Sequence, residues 1–390
     1  MPHPTRPTVT EDQLSGFSYF KKLLPLLDRL HLDACERDRA HNRTLHFDQY
    51  VALLLLYLFN PIMTSLRGIV QASELKKVQR KLGCARASLG SLSEAAQVFD
   101  AELLLGVING LAVQLQPMAH GTRFDEVKGI LTLVDGTLLR ALPRVAQAMW
   151  QDEKHRAFKL HTHFELLKGV PVRMDATDAN ASERAQLAAR LQPDHVYVLD
   201  RGYAAFWLFE QILGIGSSFV CRIRDNSVFE VIEDRLLSTE AREAGVISDQ
   251  VAWLGCGPKC GELKQPLRIV TVQYQSKRAG TASTDTLLIA TDLLDVPCEI
   301  IALLYRKRWT IEIFFRFFKH VLRCRHLLSE DLNGVKIQAY VAIIGCMLIA
   351  LWTGRKPTLR TYEMVCYYLT GLADEEELLA HIAKLKPQDA

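Results

Sequence analysis

Apolar positions set the first expectation. Phe17, Phe20, Leu23, Leu24 and Leu27 recur at three-to-four spacing, and Val51–Phe59 is almost wholly apolar. That spacing is the signature of helices packed on one face. Between Ser65 and Phe99 the pattern breaks into short helical pieces around Gly83 and Gly90. Past residue 128 the period changes. Lys128-Gly-Ile-Leu-Thr-Leu-Val-Asp135-Gly-Thr137 reads as a buried strand ending in Asp-Gly. The stretch 158–167 alternates, turns at Lys168-Gly169 and runs on through 170–177, which predicts a hairpin. A helix over 181–191, a buried strand at His195–Asp200 and a helix after Gly202 follow. The order is three strands, helix, strand, helix, with carboxylates closing the first and fourth strands.

Residues 217–292 are strand-like segments with polar breaks, one of them the small-residue stretch Ser276–Thr284 with Lys277 and Arg278. From 297 to 326 the pattern is helical, and further helices are expected at 334–352, 360–371 and 374–385. This divides the chain into an N-terminal helical region (1–120), an α/β core (121–216 and 293–332) interrupted by a β-rich insertion (217–292), and a helical C-terminal region (333–390). At roughly 150 residues per domain, 390 residues suit two or three domains. No internal repeat or low-complexity tract is visible.

Composition narrows the classes. With 49% hydrophobic and 23% charged residues, disorder and fibrous repeats are excluded. Lys plus Arg is 47 against 44 acidic residues, a net charge of +3, so any nucleic-acid surface has to be local. The nine cysteines are odd in number and irregularly spaced, which suits reduced thiols. Cys256 and Cys260 lack a second pair at zinc spacing. The first fifteen residues are polar and read as a flexible arm, not a signal peptide. The apolar runs Val51–Phe59 and Tyr340–Trp352 are shorter than the roughly 20 residues of a bilayer span and read as buried helices. A soluble intracellular protein is the expectation. Arg67, Lys76, Lys77, Arg80, Lys81 and Arg86 could line a helix-turn-helix reader, but their spacing favours an ordinary bundle with a solvated basic face.

The segment Tyr305–Arg325 carries the most chemistry. On a regular helix Tyr305, Arg308, Glu312, Arg316, Lys319 and Arg323 project within an arc of about 80°. Apolar residues fill most of the remaining circumference, so a largely buried helix with a narrow polar stripe facing a cleft is expected. From Tyr305 to Asp331 seven Lys/Arg face three acidic residues, a local +4 that exceeds the net charge of the chain. One carboxylate among cations suits a metal ligand beside phosphate-binding groups. An internal Glu312–Arg316 ion pair is the plain alternative. Asp135 and Asp200 each end an apolar strand with Gly close behind, where a carboxylate can face an open site. A turn or cap role is the alternative for either alone. Together with Glu312 they form an all-oxygen trio, in which one carboxylate bridges two divalent cations about 4 Å apart and the others hold one each. Lys159, His161 and His163 share one face of the second strand; a solvated face is favoured over a place beside Asp135.

Tyr305-x2-Arg308-x3-Glu312-x6-Lys319, with Asp-Gly-Thr at 135–137 and Asp-Arg-Gly-Tyr at 200–203, resembles the Y-R-E-K signature and two Asp regions of the IS4 family of insertion-sequence transposases. The β-rich insertion and flanking helical regions match as well, so the resemblance covers most of the chain. It implies an RNase H-like core with a DDE triad. It further implies cut-and-paste transposition with Mg²⁺ or Mn²⁺, two ions per site, on double-stranded DNA: the element's terminal inverted repeats and a target. It implies a homodimer on paired ends, in a bacterial cytoplasm at the nucleoid. Carried over by position, Asp135, Asp200 and Glu312 are catalytic metal ligands, and Tyr305, Arg308 and Lys319 contact the DNA backbone. Arg316, on the face of Glu312, joins them. Relatives that form a hairpin hold a flipped base on a Trp of the insertion, where this chain has Thr286; Trp253 lies far earlier. A non-catalytic DNA-binding regulator or inactivated copy, and a general RNase H-like nuclease, are the rival readings.

Overall fold

The structure, a computed structural model, describes residues 26–28, 30, 31, 44–117, 123–141, 149, 150, 156–255, 263–278, 281–322, 324 and 326–385. The N-terminal arm, the first helical turn around Phe17–Leu24, the Cys256–Cys260 pair and Arg323 lie outside the described residues.

Five short helices open the described chain: α1 (Phe47–Phe59), α2 (Leu66–Ser73), α3 (Lys76–Leu82), α4 (Leu89–Val98) and α5 (Leu103–Gln114). Ser65 and Ser88 start α2 and α4 by accepting the backbone N–H of Gly68 and Ser91, which satisfies donors a helix start leaves open. The strands then begin: β1 (Ile130–Ala141), β2 (Met149–Trp150), β3 (Arg156–Glu165) and β4 (Val170–Asp178). Gly169 makes the expected β3–β4 turn, with a positive φ of 66° that a side chain would resist. Next come α6 (Glu183–Ala188), β5 (His195–Leu199), a short 3₁₀ turn (Arg201–Tyr203), α7 (Phe206–Gly214) and β6 (Ser218–Arg222).

Among these strands β3 is antiparallel to β1 and β4 to β3, while β5 is parallel to β1 and β6 to β5. Leaving aside the two-residue β2, which pairs with β3, the spatial order is therefore β4-β3-β1-β5-β6, with β3 alone running opposite to the other four. That is the RNase H-like arrangement expected for this α/β core. Beyond β6 the sheet continues through β10 (Thr281–Thr291), β9 (Leu267–Arg278), β8 (Val246–Leu254) and β7 (Phe229–Asp234), with α8 (Thr239–Glu243) between β7 and β8. The β-rich insertion thus extends one ten-stranded sheet, because the antiparallel β6–β10 pairing supplies β6 with its second ladder.

The remaining helices are α9 (Cys298–Lys307), α10 (Trp309–Arg316), a π turn (Phe317–Val321), α11 (Leu332–Thr353), α12 (Leu359–Thr370) and α13 (Glu375–Lys384). Sheet alternation sorts the core into two faces. Leu131, Leu133, Leu160, Phe164 and Val198 join the cluster containing α1, α9, α10 and α11. Val134, Tyr197, Leu199 and Tyr203 join α6 and α7 on the other face. Helix α11 is long and apolar enough to cross a membrane, but 89% of its apolar window is buried inside the protein, against α1, α4, α5 and β4.

Candidate active site

The parallel β1–β5 register pairs Ile130 with His195 and Leu133 with Val198. Extending it by two residues sets Asp135 beside Asp200. Both alternate with core residues of the α10 face, Leu133 and Val198, so both side chains face that helix. Strand β1 does not end at Asp135 as the Asp-Gly pair suggested. It runs on to Ala141, because antiparallel pairing with β3 persists after β5 has stopped. Asp135 therefore sits where the sheet splits, at the open end of the parallel pair. Asp200 caps the 3₁₀ turn and accepts the backbone N–H of Gly202 at 2.8 Å.

The third carboxylate arrives on α10. Arg308 joins α9 to α10 with right-handed helical dihedrals, and its guanidinium binds both sides of the site. Its Nη1 donates to Asp135 Oδ2 at 3.0 Å, and its Nη2 lies 3.5 Å from Glu312 Oε1. Asp135 Oδ1 accepts the Gly136 backbone N–H at 2.7 Å. Burial pushes the Asp135 carboxyl up to about 7; Arg308 and the Gly136 N–H pull it down, and Glu312 and Asp200 raise it further. Burial is thus the main cause, and the two neighbouring carboxylates add to it. Burial also raises the Tyr305 hydroxyl, with Arg308, Arg222 and Asp200 in its field.

Tyr305 and Arg308 border a cavity of about 330 Å³ whose other walls include Arg222, Gln273, Tyr274 and Trp309. The insertion strands β9 and β10 thus form one wall of the cleft beside the carboxylates. The polar stripe divides beyond Glu312. Arg316 is exposed and lines a separate groove of about 460 Å³ with Ile313, Phe317, His320 and Lys356. Lys319 is half-buried within the π turn, whose wider winding rotates it relative to Glu312. The helix is also less enclosed than expected: Trp309 and Ile313 are more than half exposed.

The β3 residues behave differently from both readings of the sequence. The register pairs Asp135 with Thr162, which puts Lys159, His161 and His163 on the opposite face. There His161 and His163 are buried, not solvated. His161 Nε2 is 2.8 Å from Thr177 Oγ1, His163 meets Tyr197 edge-on, and Lys159 pairs with Glu183 at 3.2 Å. Residue alternation alone could not say which face of β3 points to Asp135. Glu183, Arg184 and Tyr203 also stand close to the site; only Tyr203 had a sequence signal, as the last residue of Asp-Arg-Gly-Tyr.

As arranged, no three His, Cys, Asp or Glu among the described residues converge on one ion position. The donor set nevertheless fits hard divalent cations, since each ion of a two-ion site needs only two of these carboxylates, one shared. The Arg308 guanidinium occupies the place between Asp135 and Glu312, a cation already lodged where the carboxylates repel.

The fold places the chain among the RNase H-like proteins. Residues 127–348, more than half of the chain, match the family model described as a transposase DDE domain, and the chain belongs to that family. Its relatives include a putative transposase y4zB of Sinorhizobium fredii, 26% identical over 228 residues, 58% of this chain. The matched stretch spans 62% of that relative's own length. A probable transposase for insertion sequence element IS5377 of Geobacillus stearothermophilus is 27% identical over 40% of this chain and 38% of that one. A putative transposase for insertion sequence element IS4SA of Synechocystis is 38% identical over 53 residues, 14% of this chain and 16% of that one. Among solved structures, a piggyBac transposase synaptic complex with hairpin DNA aligns with a TM-score of 0.47 and 10% identity, over 99% of this chain and 89% of that chain. The family resemblance read from the Y-R-E-K stretch thus holds at the level of insertion-sequence DDE transposases.

Proposed function

We propose that this protein is the DNA transposase of an insertion sequence, cutting the element's ends and joining them to target DNA by cut-and-paste phosphoryl transfer. The observation that carries the reading is the Asp135–Arg308–Glu312 bridge, which ties a strand carboxylate to a helix carboxylate 177 residues further along the chain, beside Asp200. Asp135, Asp200 and Glu312 would hold two divalent cations, Mg²⁺ or Mn²⁺, Asp135 being the carboxylate that stands beside Asp200 and shares Arg308 with Glu312. Bound cations supply neutralisation of the charge that builds on the phosphoryl and leaving oxygens, and lower the pKa of attacking water.

The protein's own residues do the rest. Arg308 offsets the charge of the carboxylates it bridges, and with cations in that role its guanidinium would serve a backbone phosphate. Tyr305, at the wall of the cleft, orients the strand entering it. Arg316 and Lys319 contact phosphates further from the scissile bond, so their loss weakens binding more than chemistry. The DNA is double-stranded: terminal inverted repeats first, then target. Two copies acting on paired ends, within the bacterial cytoplasm at the nucleoid, complete the reading.

A strand-transfer assay with element-end DNA and Mg²⁺ tests it. Cleaved ends and joined products are expected from the intact protein. Tight end binding without product would make it a non-catalytic regulator or inactivated copy, and cutting indifferent to end sequence would make it a general nuclease.

A further inference from the structure

Behind the two aspartates, on the opposite face of the sheet, a second layer connects their backbones. Glu183 opens α6 and lies against β1 at Gly136: a Cβ built on Gly136 would come within 2.8 Å of Glu183 Oε1. The same carboxylate pairs with Lys159 on β3 at 3.2 Å. The next residue, Arg184, donates from Nε to the Gly202 carbonyl at 2.7 Å. Gly202 is the residue whose N–H binds Asp200 Oδ1. Adjacent residues of one helical turn therefore hold the strand that carries Asp135 and the turn that carries Asp200.

Tyr203 completes the layer. Its side chain is fully buried, and its hydroxyl has no hydrogen-bond partner among the described residues. A buried hydroxyl left unpaired is a cost that native proteins rarely accept without a use for it. Burial raises this hydroxyl well above the usual tyrosine value, and Glu183, Asp135 and Asp200 all lie within its field. Of these acids Glu183 stands on the same face of the sheet as the hydroxyl, and its field is the strongest.

We propose that Glu183, Arg184 and Tyr203 are positioning residues that fix the separation of Asp135 and Asp200 from behind, with the Tyr203 hydroxyl, on the same face of the sheet as Glu183, the hydrogen-bond donor that steadies Glu183 against β1. The proposal rests on the reading of Asp135, Asp200 and Glu312 as cation ligands. Outer-layer hydrogen bonds orient ligating carboxylates, and removing one typically costs 10–100-fold in metal affinity.

The test is Mn²⁺ binding to the full chain, followed by electron paramagnetic resonance, with melting temperature measured on every variant. Tyr203→Phe is expected to melt at or above the parent temperature, since it deletes an unpaired buried hydroxyl, yet to bind Mn²⁺ about tenfold more weakly. Arg184→Ala is expected to weaken Mn²⁺ binding, and Arg184→Lys, which can still donate to the Gly202 carbonyl, to recover part of it. Asp135→Asn is the control. If it abolishes saturable Mn²⁺ binding while Tyr203→Phe and Arg184→Ala bind as the parent does, the positioning layer is refuted and the ligand assignment stands. If Asp135→Asn leaves binding unchanged, or the parent shows no saturable binding, the ligand assignment falls and the layer with it. Affinity losses that merely track losses of melting temperature would make the layer structural and overturn the proposal.

Discussion

At the residue scale, the site is governed by competition for Asp135. Burial and two neighbouring carboxylates oppose its charge, while Arg308 and one backbone N–H sustain it. The Glu312 side chain is 37% exposed against 13% for Asp135, so its loss disturbs packing less than that of Asp135. Glu312→Ala is therefore expected to abolish end cleavage while leaving DNA binding within about twofold, checked by strand-transfer and gel-shift assays on the same preparation. Cleavage at the parental rate would remove Glu312 from the ligand set. Arg308→Ala is expected to be worse than a lost phosphate contact, because it leaves Asp135 buried beside two other carboxylates without its counter-charge. Its melting temperature should fall relative to the parent, and less so when Asp135→Asn is combined with it, a non-additivity read from a double-mutant cycle.

At the element scale, β3 and the insertion carry the stability arguments. His163 is buried, and that burial lowers its pKa to about 4, outweighing the nearby Asp175; burial also lowers His161 and His195. A histidine depressed in the folded state contributes stability above its unfolded value near 6.5, and loses it as pH falls toward the folded value. Urea unfolding of the parent should weaken between pH 6.5 and 4 by up to about 1.4 kcal/mol per pH unit from His163, with His161 and His195 acting in the same direction. His163→Gln should show a visibly shallower slope. In the insertion, Arg268 forms a bidentate pair with Asp249 at 2.7 Å, both nearly fully buried, and donates to the carbonyls of Leu293, Leu294 and Val296. It fastens β8 and β9 to the segment leading into α9. Arg268→Ala is expected to cost about 3–5 kcal/mol in urea unfolding, because Asp249 is left buried and unpaired. The double variant Arg268→Met/Asp249→Leu should recover much of that loss.

At the scale of the whole molecule, α11 binds the N-terminal helices to the sheet. Its composition would suit a lipid environment, but α1, α4 and α5 cover one side and β4 the other. The fit is close where helices meet. A Cβ on Gly334 would collide with Ser329 and come within 2.9 Å of the Ala96 Cβ on α4. Gly334→Ala is expected to destabilise the chain by about 1–3 kcal/mol by urea unfolding, since neither neighbour is a long side chain able to swing away. Asn333, one residue earlier, donates to the carbonyls of Ala96 and Phe99 and accepts from the Ala101 N–H, so α4, α5 and α11 are held through polar contacts at the same point.

The sequence by itself determined the elements and their chemistry. Period-two alternation marked β3 and β4, the Asp-Gly and Asp-Arg-Gly-Tyr stretches marked the strand carboxylates, and spacing along a helix brought Tyr305, Arg308 and Glu312 onto one side. Those are local properties, set by side-chain period and turn chemistry. Register and facing were not local. Whether His161 and His163 look toward Asp135 or away depends on how β3 aligns with β1, and a shift of one residue would reverse it. The turning of Lys319 away from Glu312 depends on a π turn that helical periodicity does not encode. The meeting of Arg308 with Asp135, and the buried layer of Glu183, Arg184 and Tyr203 behind it, required the β1–β5 pairing, the seat of α10 on one face and of α6 on the other. Only long-range packing fixes those relations, because the residues concerned are separated by tens to hundreds of positions and share no repeat that could announce their contact.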